Sequence, residues 1–421
     1  MKRGFLKSAK AQKTFYPAED EEPVPDLFKQ LVKGTKLSYG KVKEAGRPEG
    51  YQTKGVEMKE TAAECVDHPE GTKLFTTIPI QYPDSTYEDQ PVGWSECFIS
   101  ADIKRMIYET PGFGRSPPSP NRLNYRIEST PNMGLGMFAA HPLKMGDLIL
   151  SERPLLVVPR SMTMSIGAPV GFTPEQYRQA LMFEWEKYLE MAVNRMFPEN
   201  RKAYYALANN HSEDGSGRIL GILRTNGYDV GGDFYDKKLG KHDGAYSATC
   251  DKMSRLNHSC RPNVSHSFDI ASFSFQLRPV RDIQAGEQLF YSYCKCDQPA
   301  AARQKALEPY GVRCTCESCL GDATESDELR THITPRFMAI QTAYVHWLQR
   351  PPQQRDDSVL KPALALLSAF ERDGLHSNRY YSLLLDTIRE VYSDLGDKES
   401  ATKYARLLRA CSIACTGSIT R

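Results

Sequence analysis

Three short segments hold the residues whose types and spacing could do chemistry. They are Asn257-His258-Ser259-Cys260-Arg261-Pro262-Asn263, Gly286-Glu287-Gln288-Leu289-Phe290-Tyr291-Ser292-Tyr293 and Cys314-Thr315-Cys316-Glu317-Ser318-Cys319. Each has an ordinary explanation alone: Asn and His near Pro make polar turns, Gly-Glu marks a hairpin, and a terminal Tyr is often core. The cysteine run is the most specific, because Cys-x-Cys-x2-Cys puts three thiolates within six residues, one short of a tetrahedral metal site. Cys294-Lys295-Cys296 has close ligand spacing too. Seven of the eleven cysteines fall between Cys250 and Cys319, a clustering that suits metal binding better than disulfide staples spread over loops.

Positioning these segments requires short strands and turns. Residues 125–128 read as a strand, and residues 132–136 as a turn in which Gly134 and Gly136 can take positive φ or let a ligand approach the backbone. Residues 137–140 and 147–152 suggest further strands joined by a turn at 144–146. Thr173 is the expected N-cap of a long helix, with Pro174 at the first helical position and Gln176 completing a capping box. Apolar residues at Tyr177, Leu181, Trp185, Leu189, Ala192 and Met196 then follow helical spacing, and residues 201–208 suggest a second short helix. Residues 272–277 alternate as a half-buried strand should, and 289–293 form another strand candidate. Beyond Ser326 the chain reads as helices over 335–349, 359–371, 378–395 and 398–413, with Thr334 and Ser377 as expected caps of two of them.

Residues 1–118 are rich in Pro, Gly, Glu and Lys, and only stretches such as 74–80 suggest strands. Residues 111–120 read as a linker. Basic and acidic residues number 54 and 52, so the net charge of +2 offers no global attraction to nucleic acid. No apolar run approaches the ~18 residues that suggest a bilayer span. Residues 1–15 carry five basic and no acidic residues without the apolar core of a secretory signal. A basic tail is expected there, with a mitochondrial presequence as its rival.

In this order and combination the motifs resemble those of the SET-domain protein-lysine methyltransferases. The first segment is similar to the family's Asn-His-Ser-Cys-x-Pro-Asn signature. The second is similar to its Gly-Glu-Glu-Leu-x-x-x-Tyr signature, with Gln288 in place of a commoner acid. Gly134-Leu135-Gly136 resembles the early Gly-x-Gly segment, and the late cysteines resemble a post-SET module. The resemblance covers about residues 124–320. It implies a mainly β SET fold with a pseudoknot and a helical insert, a post-SET zinc site, and then an α-helical C-terminal domain. The expected layout is an N-terminal extension, partly disordered, over 1–118, a SET domain over 119–297 with its insert at about 160–215, a zinc module over 298–325 and a helical domain over 326–421.

The resemblance also implies roles. S-adenosylmethionine would be bound by Asn132, Met133, Gly134, Leu135, Gly136, Asn257, His258 and Tyr293, with Tyr293 the active-site tyrosine. A structural zinc would take Cys260, Cys314, Cys316 and Cys319. The sequence is most similar to the branch that combines SET with a MYND zinc finger, in which aromatics matching Tyr228 and Tyr310 line the lysine channel. No cysteine separates Glu152 from Cys250, so that finger is expected to be absent, as in fungal-type relatives. The implied reaction is methyl transfer to a lysine of a histone or non-histone protein in the nucleus or cytoplasm, with no membrane involvement. A catalytically silent scaffold or chromatin adaptor is the alternative.

Overall fold

The computed structural model describes residues 45–53, 55, 64–82, 84–90, 92–160, 170–231, 234–235, 244–320 and 323–418. The expectations for the basic N-terminal tail lie outside these residues. The chain divides into two units, the first comprising residues 1–83, 96–108 and 156–249 and the second residues 84–95, 109–155 and 250–421.

The first unit is built on a five-stranded sheet. Its strands are β1 (Lys73–Ile78), β2 (Ser95–Ser100), β6 (Leu156–Pro159), β7 (Gly227–Asp229) and β8 (Tyr246–Thr249), in the order β1-β2-β6-β8-β7. Every residue of β2, Ser-Glu-Cys-Phe-Ile-Ser, is buried, as befits an interior strand covered on both faces. The sheet runs into α1 (Ala101–Glu109), and α2 (Pro174–Arg195), α3 (Pro198–Tyr205) and α4 (Arg218–Asn226) fill the stretch between β6 and β7. The expected capping box of α2 forms: the Gln176 amide donates to Thr173 Oγ1 at 3.2 Å and the Thr173 amide to Gln176 Oε1 at 2.9 Å. The short helix begins at Pro198, earlier than residue 201, because proline's fixed φ suits the first helical position.

Glu96 gives this unit a pH-sensitive anchor. Its buried carboxylate accepts hydrogen bonds from Thr77 Oγ1 at 2.6 Å and Arg195 Nε at 2.5 Å. Burial nevertheless outweighs the arginine and raises its pKa to about 7. The folded state therefore holds this proton more tightly than the unfolded chain does. The resulting stabilisation is complete below the unfolded carboxyl pKa and is lost as pH rises through about 7. Urea unfolding from pH 4.5 to 8 should show a decline, at most about 1.4 kcal/mol per pH unit, that Glu96→Gln flattens. Equal pH slopes in the two proteins would discount Glu96.

The second unit holds two sheets. One is three-stranded, β10 (Val264–Asp269), β11 (Ser274–Pro279) and β5 (Leu150–Glu152), all antiparallel. The other is four-stranded, in the order β3 (Tyr125–Ser129), β4 (Leu135–Ala139), β12 (Gln288–Tyr291) and β9 (Asn257–His258). Its last pair, β12 with β9, is parallel.

Among the described residues six α-helices follow: α5 (Ala300–Leu307), α6 (Thr324–Thr331), α7 (Ile333–Leu348), α8 (Leu360–Arg372), α9 (Arg379–Asp394) and α10 (Lys398–Thr416). The last five share a core that includes Trp347, Phe370, Leu384 and Ile388. Two expected caps are corrected. α7 starts at Ile333, so Thr334 lies inside its first turn, and α9 is capped by Asn378 rather than Ser377, its side chain accepting from the Tyr380 amide at 2.9 Å. Among the described residues no helix is long and apolar enough to cross a membrane.

Candidate active site and thiol cluster

The site is assembled in the second unit around the parallel pair of β9 and β12, in which Asn257 lies beside Phe290 and His258 beside Tyr291. A two-residue strand is too short to hold itself, and Asn263 supplies the splint. Its Nδ2 donates to the Gln288 carbonyl at 2.8 Å, its Oδ1 accepts from the Phe290 amide at 2.7 Å, and its own amide donates to the Phe290 carbonyl at 3.1 Å. The Ser259 amide adds a bond to the Tyr291 carbonyl at 3.0 Å. The first two sequence motifs are thus hydrogen-bonded side by side.

The glycine segment meets them from the other edge. Gly134 takes φ +66°, and its carbonyl accepts from both the amide and Oγ1 of Thr130, at 2.7 and 2.9 Å. A Cβ on Gly136 would lie 2.7 Å from Gln288 Nε2 and Thr130 Cγ2 and 3.2 Å from Asn257 Nδ2, so a side chain there would force these neighbours to shift. Asn257 Nδ2 donates to the Leu135 carbonyl at 3.0 Å, leaving its Oδ1 without a hydrogen-bond partner among the described residues. Asn132, Met133 and Leu135 are exposed on this turn, and Met133 is fixed by its amide bond to Thr130 Oγ1 at 2.9 Å.

Tyr293 lies two residues beyond the end of β12. Its hydroxyl donates to the Leu256 carbonyl at 2.5 Å, and its ring centroid lies 5.2 Å from that of Tyr310 and 5.4 Å from that of His258. Burial pushes the phenol well above the ordinary tyrosine range, so it is protonated. With its proton committed to Leu256, the hydroxyl offers lone pairs.

His258 is occupied at both ring nitrogens. Nδ1 accepts from the Tyr293 amide at 3.0 Å, which assigns the proton to Nε2, 3.4 Å from Cys260 Sγ. Burial lowers its pKa to about 4, so the ring is neutral. Only the main chain of His258 remains for a ligand, and the imidazole is not placed as a base. Tyr228 belongs to the first unit, where it is buried on β7.

The Sγ atoms of Cys260, Cys314, Cys316 and Cys319 lie within 4.8 Å of one another. Cys260 is 3.8 Å from Cys314 and 3.6 Å from Cys319. A tetrahedral ion with metal–sulfur bonds of about 2.3 Å requires sulfurs about 3.8 Å apart, so the tetrad has the size of a zinc site. Hydrogen bonding within the cluster pulls the Cys316 thiol far below the usual range and pushes that of Cys260 far above it. Cys294 forms a separate group with His258 and Cys260, and Cys296 bonds to Ser292 Oγ at 2.9 Å.

Two arginines missing from the sequence reading complete the surroundings. Arg303 and Arg330 are both buried, although helix-borne arginines ordinarily read as surface charge.

Residues 134–294 match the SET domain family. Curated relatives include the histone-lysine N-methyltransferase set5 of Schizosaccharomyces pombe, 29% identical over 46% of this chain and 50% of that protein. The protein-lysine N-trimethyltransferase SMYD5 of Gallus gallus is 38% identical over 18% of this chain and 19% of its own. The histone-lysine N-methyltransferase SMYD3 of Mus musculus is 29% identical over 36% and 35%. These matches span half or less of each relative's length. Together with the bonded pair of motif segments, they establish that this chain carries a SET domain over residues 134–294.

Proposed function

We propose that this chain is a protein-lysine N-methyltransferase that uses S-adenosylmethionine and acts on a histone or non-histone protein in the nucleus or cytoplasm. The observation that carries the reading is the convergence of the Gly134–Gly136 segment, Asn257 and Tyr293 on one parallel strand pair. The histone and protein lysines named for the relatives support the substrate class. A net charge of +2 makes no case for direct nucleic-acid binding.

The residues present fit the cofactor. The turn at 132–136 brings main chain to the surface, and Asn257 Oδ1 is an unused acceptor suited to an amino or hydroxyl group. His258 contributes main chain there. When bound, S-adenosylmethionine supplies a methyl group activated by its sulfonium. The protein must align a lysine amine, which has a pKa of about 10.4 in water, and favour its neutral form. Desolvation disfavours the ammonium, and the half-buried Tyr293–Tyr310 pair provides a wall that withholds water from it. Tyr228 is assigned to the lysine channel on the family resemblance alone. The lone pairs of the Tyr293 hydroxyl suit a polarised methyl or an amine N–H.

Zinc is proposed on Cys260, Cys314, Cys316 and Cys319, whose spacing supports four-thiolate coordination. Such a site leaves no position for water, so the metal has a structural role.

Transfer of tritiated methyl from S-adenosylmethionine to mixed cellular protein, with sites mapped by mass spectrometry, tests the activity. Lysine-specific labelling is expected. Cofactor binding without transfer would instead favour a silent scaffold. Asn257→Ala should weaken cofactor binding by roughly 1–3 kcal/mol in calorimetry. An unchanged dissociation constant would reduce Asn257 to a support for the Leu135 turn.

A further inference from the structure

The four-thiolate site carries an electrostatic cost. Zn2+ with four thiolates has a net charge of −2; Cys260 is fully buried, and Cys314, Cys316 and Cys319 are half-buried. A buried negative group of this kind requires a compensating partner.

Two cationic side chains with no solvent exposure are nearby, and their partners differ. Arg330 donates to main-chain and hydroxyl oxygens of Cys260, Cys296, Ser318 and Ser326, and it is paired with Asp373 Oδ2 at 2.7 Å. Its charge is already answered by a carboxylate. Arg303 reaches the cluster itself: Nη2 lies 3.4 Å from Cys319 Sγ and donates to the Ser318 carbonyl at 2.7 Å. Its carboxylate neighbour, Asp327, is at the longer distance of 3.4 Å and also accepts from the Ala300 amide at 2.8 Å. Arg303 Nε is buried without a hydrogen-bond partner. Nη2, which already approaches Cys319 Sγ, gains an electron-rich neighbour when that thiol becomes a thiolate.

The next residue holds the same loop. Gln304 Nε2 donates to the Val312 carbonyl at 2.9 Å, and its Oε1 accepts from the Cys314 amide at 3.2 Å. The two residues lie on α5, which leads directly to Tyr310, and Tyr310 packs on Tyr293.

Resting on the zinc reading above, we infer that Arg303 is a positioning residue: it is the counter-charge of the thiolate cluster, and it ties metal occupancy to helix α5, which leads into the turn that carries Tyr310 toward Tyr293.

The test is zinc affinity of the full chain, measured by competition with a chromophoric chelator. Arg303→Gln should raise the zinc dissociation constant by about 10–100-fold. Arg303→Lys, which keeps the charge and loses the fork, should recover most of that loss. Asp327→Asn keeps the oxygen near Arg303 and removes the competing charge, so it should bind zinc at least as tightly as wild type. This variant also serves as the independent arm if Arg303→Gln does not fold. Wild-type affinity in Arg303→Gln, no advantage of Lys over Gln, or weakened zinc binding in Asp327→Asn would each overturn the inference. A wild-type chain that takes up no zinc would instead remove the metal reading on which it rests.

Discussion

Tyr293→Phe should slow single-turnover methyl transfer on the order of 10²-fold while leaving the cofactor dissociation constant near its wild-type value. The substitution keeps the ring that packs on Tyr310 and His258 and removes only the hydroxyl. That hydroxyl is protonated, because burial pushes the phenol upward, and its proton is donated to the Leu256 carbonyl. A phenolate base is therefore not part of the expectation. The loss is electrostatic: an oxygen whose lone pairs are fixed by one strong bond interacts with charge that changes in the transition state. The variant also leaves the Leu256 carbonyl short of a donor, at a cost of about 1–3 kcal/mol in stability if water does not replace it. Unfolding must accordingly be measured beside the kinetics, since a stability change alone would be a packing effect. Full single-turnover activity, with the same number of methyl groups added, would reject the role given to this tyrosine. Unchanged turnover with a different methylation state would make the hydroxyl a limit on space around the amine.

Much of this site was legible because its residues act through backbone geometry. Asn263 stitches β9 to β12 with its amide and main chain, and Gly136 admits Gln288 and Thr130 at distances a Cβ would crowd. Such demands leave residue types in the sequence at fixed spacing. The thiol tetrad was legible for the same reason, three of its members being local.

What was missed depends on tertiary partners. Arg303 and Arg330 lie on helices α5 and α6 with nothing in their local pattern to signal burial; only the carbonyls, carboxylates and thiols brought to them make burial tolerable. β2 was hidden by the Pro- and Lys-rich residues around it, and its Ser and Glu obscured an entirely buried strand. Helix α4 has no side-chain cap to announce it, its N-cap being Gly217, although residues 218–226 bury Ile219, Leu220, Ile222 and Leu223. Thr130 had no motif to mark it, yet its hydroxyl and amide fix the glycine turn.

The second large effect concerns the metal. Purified protein should contain about one zinc per chain, and Cys260→Ser should lose it, since three remaining thiolates cannot close a tetrahedral site. The consequences should exceed those of deleting a buried thiol elsewhere, because the free energy of structural zinc binding is also folding free energy. They should also reach the cofactor cleft. Cys260 lies beside His258 Nε2, and His258 Nδ1 holds the Tyr293 amide, so the cluster and the tyrosine share one imidazole. Loss of the ion should therefore weaken cofactor binding and lower the melting temperature together, and a chelator should reproduce both effects in the wild-type chain. Cys294→Ser separates the competing ligand sets. Cys294 approaches Cys260 and His258 but is not part of the four-sulfur group, so this variant should retain zinc. Zinc lost from Cys294→Ser but kept by Cys260→Ser would reverse the ligand assignment. Folded, unchelated wild-type protein without zinc would end it.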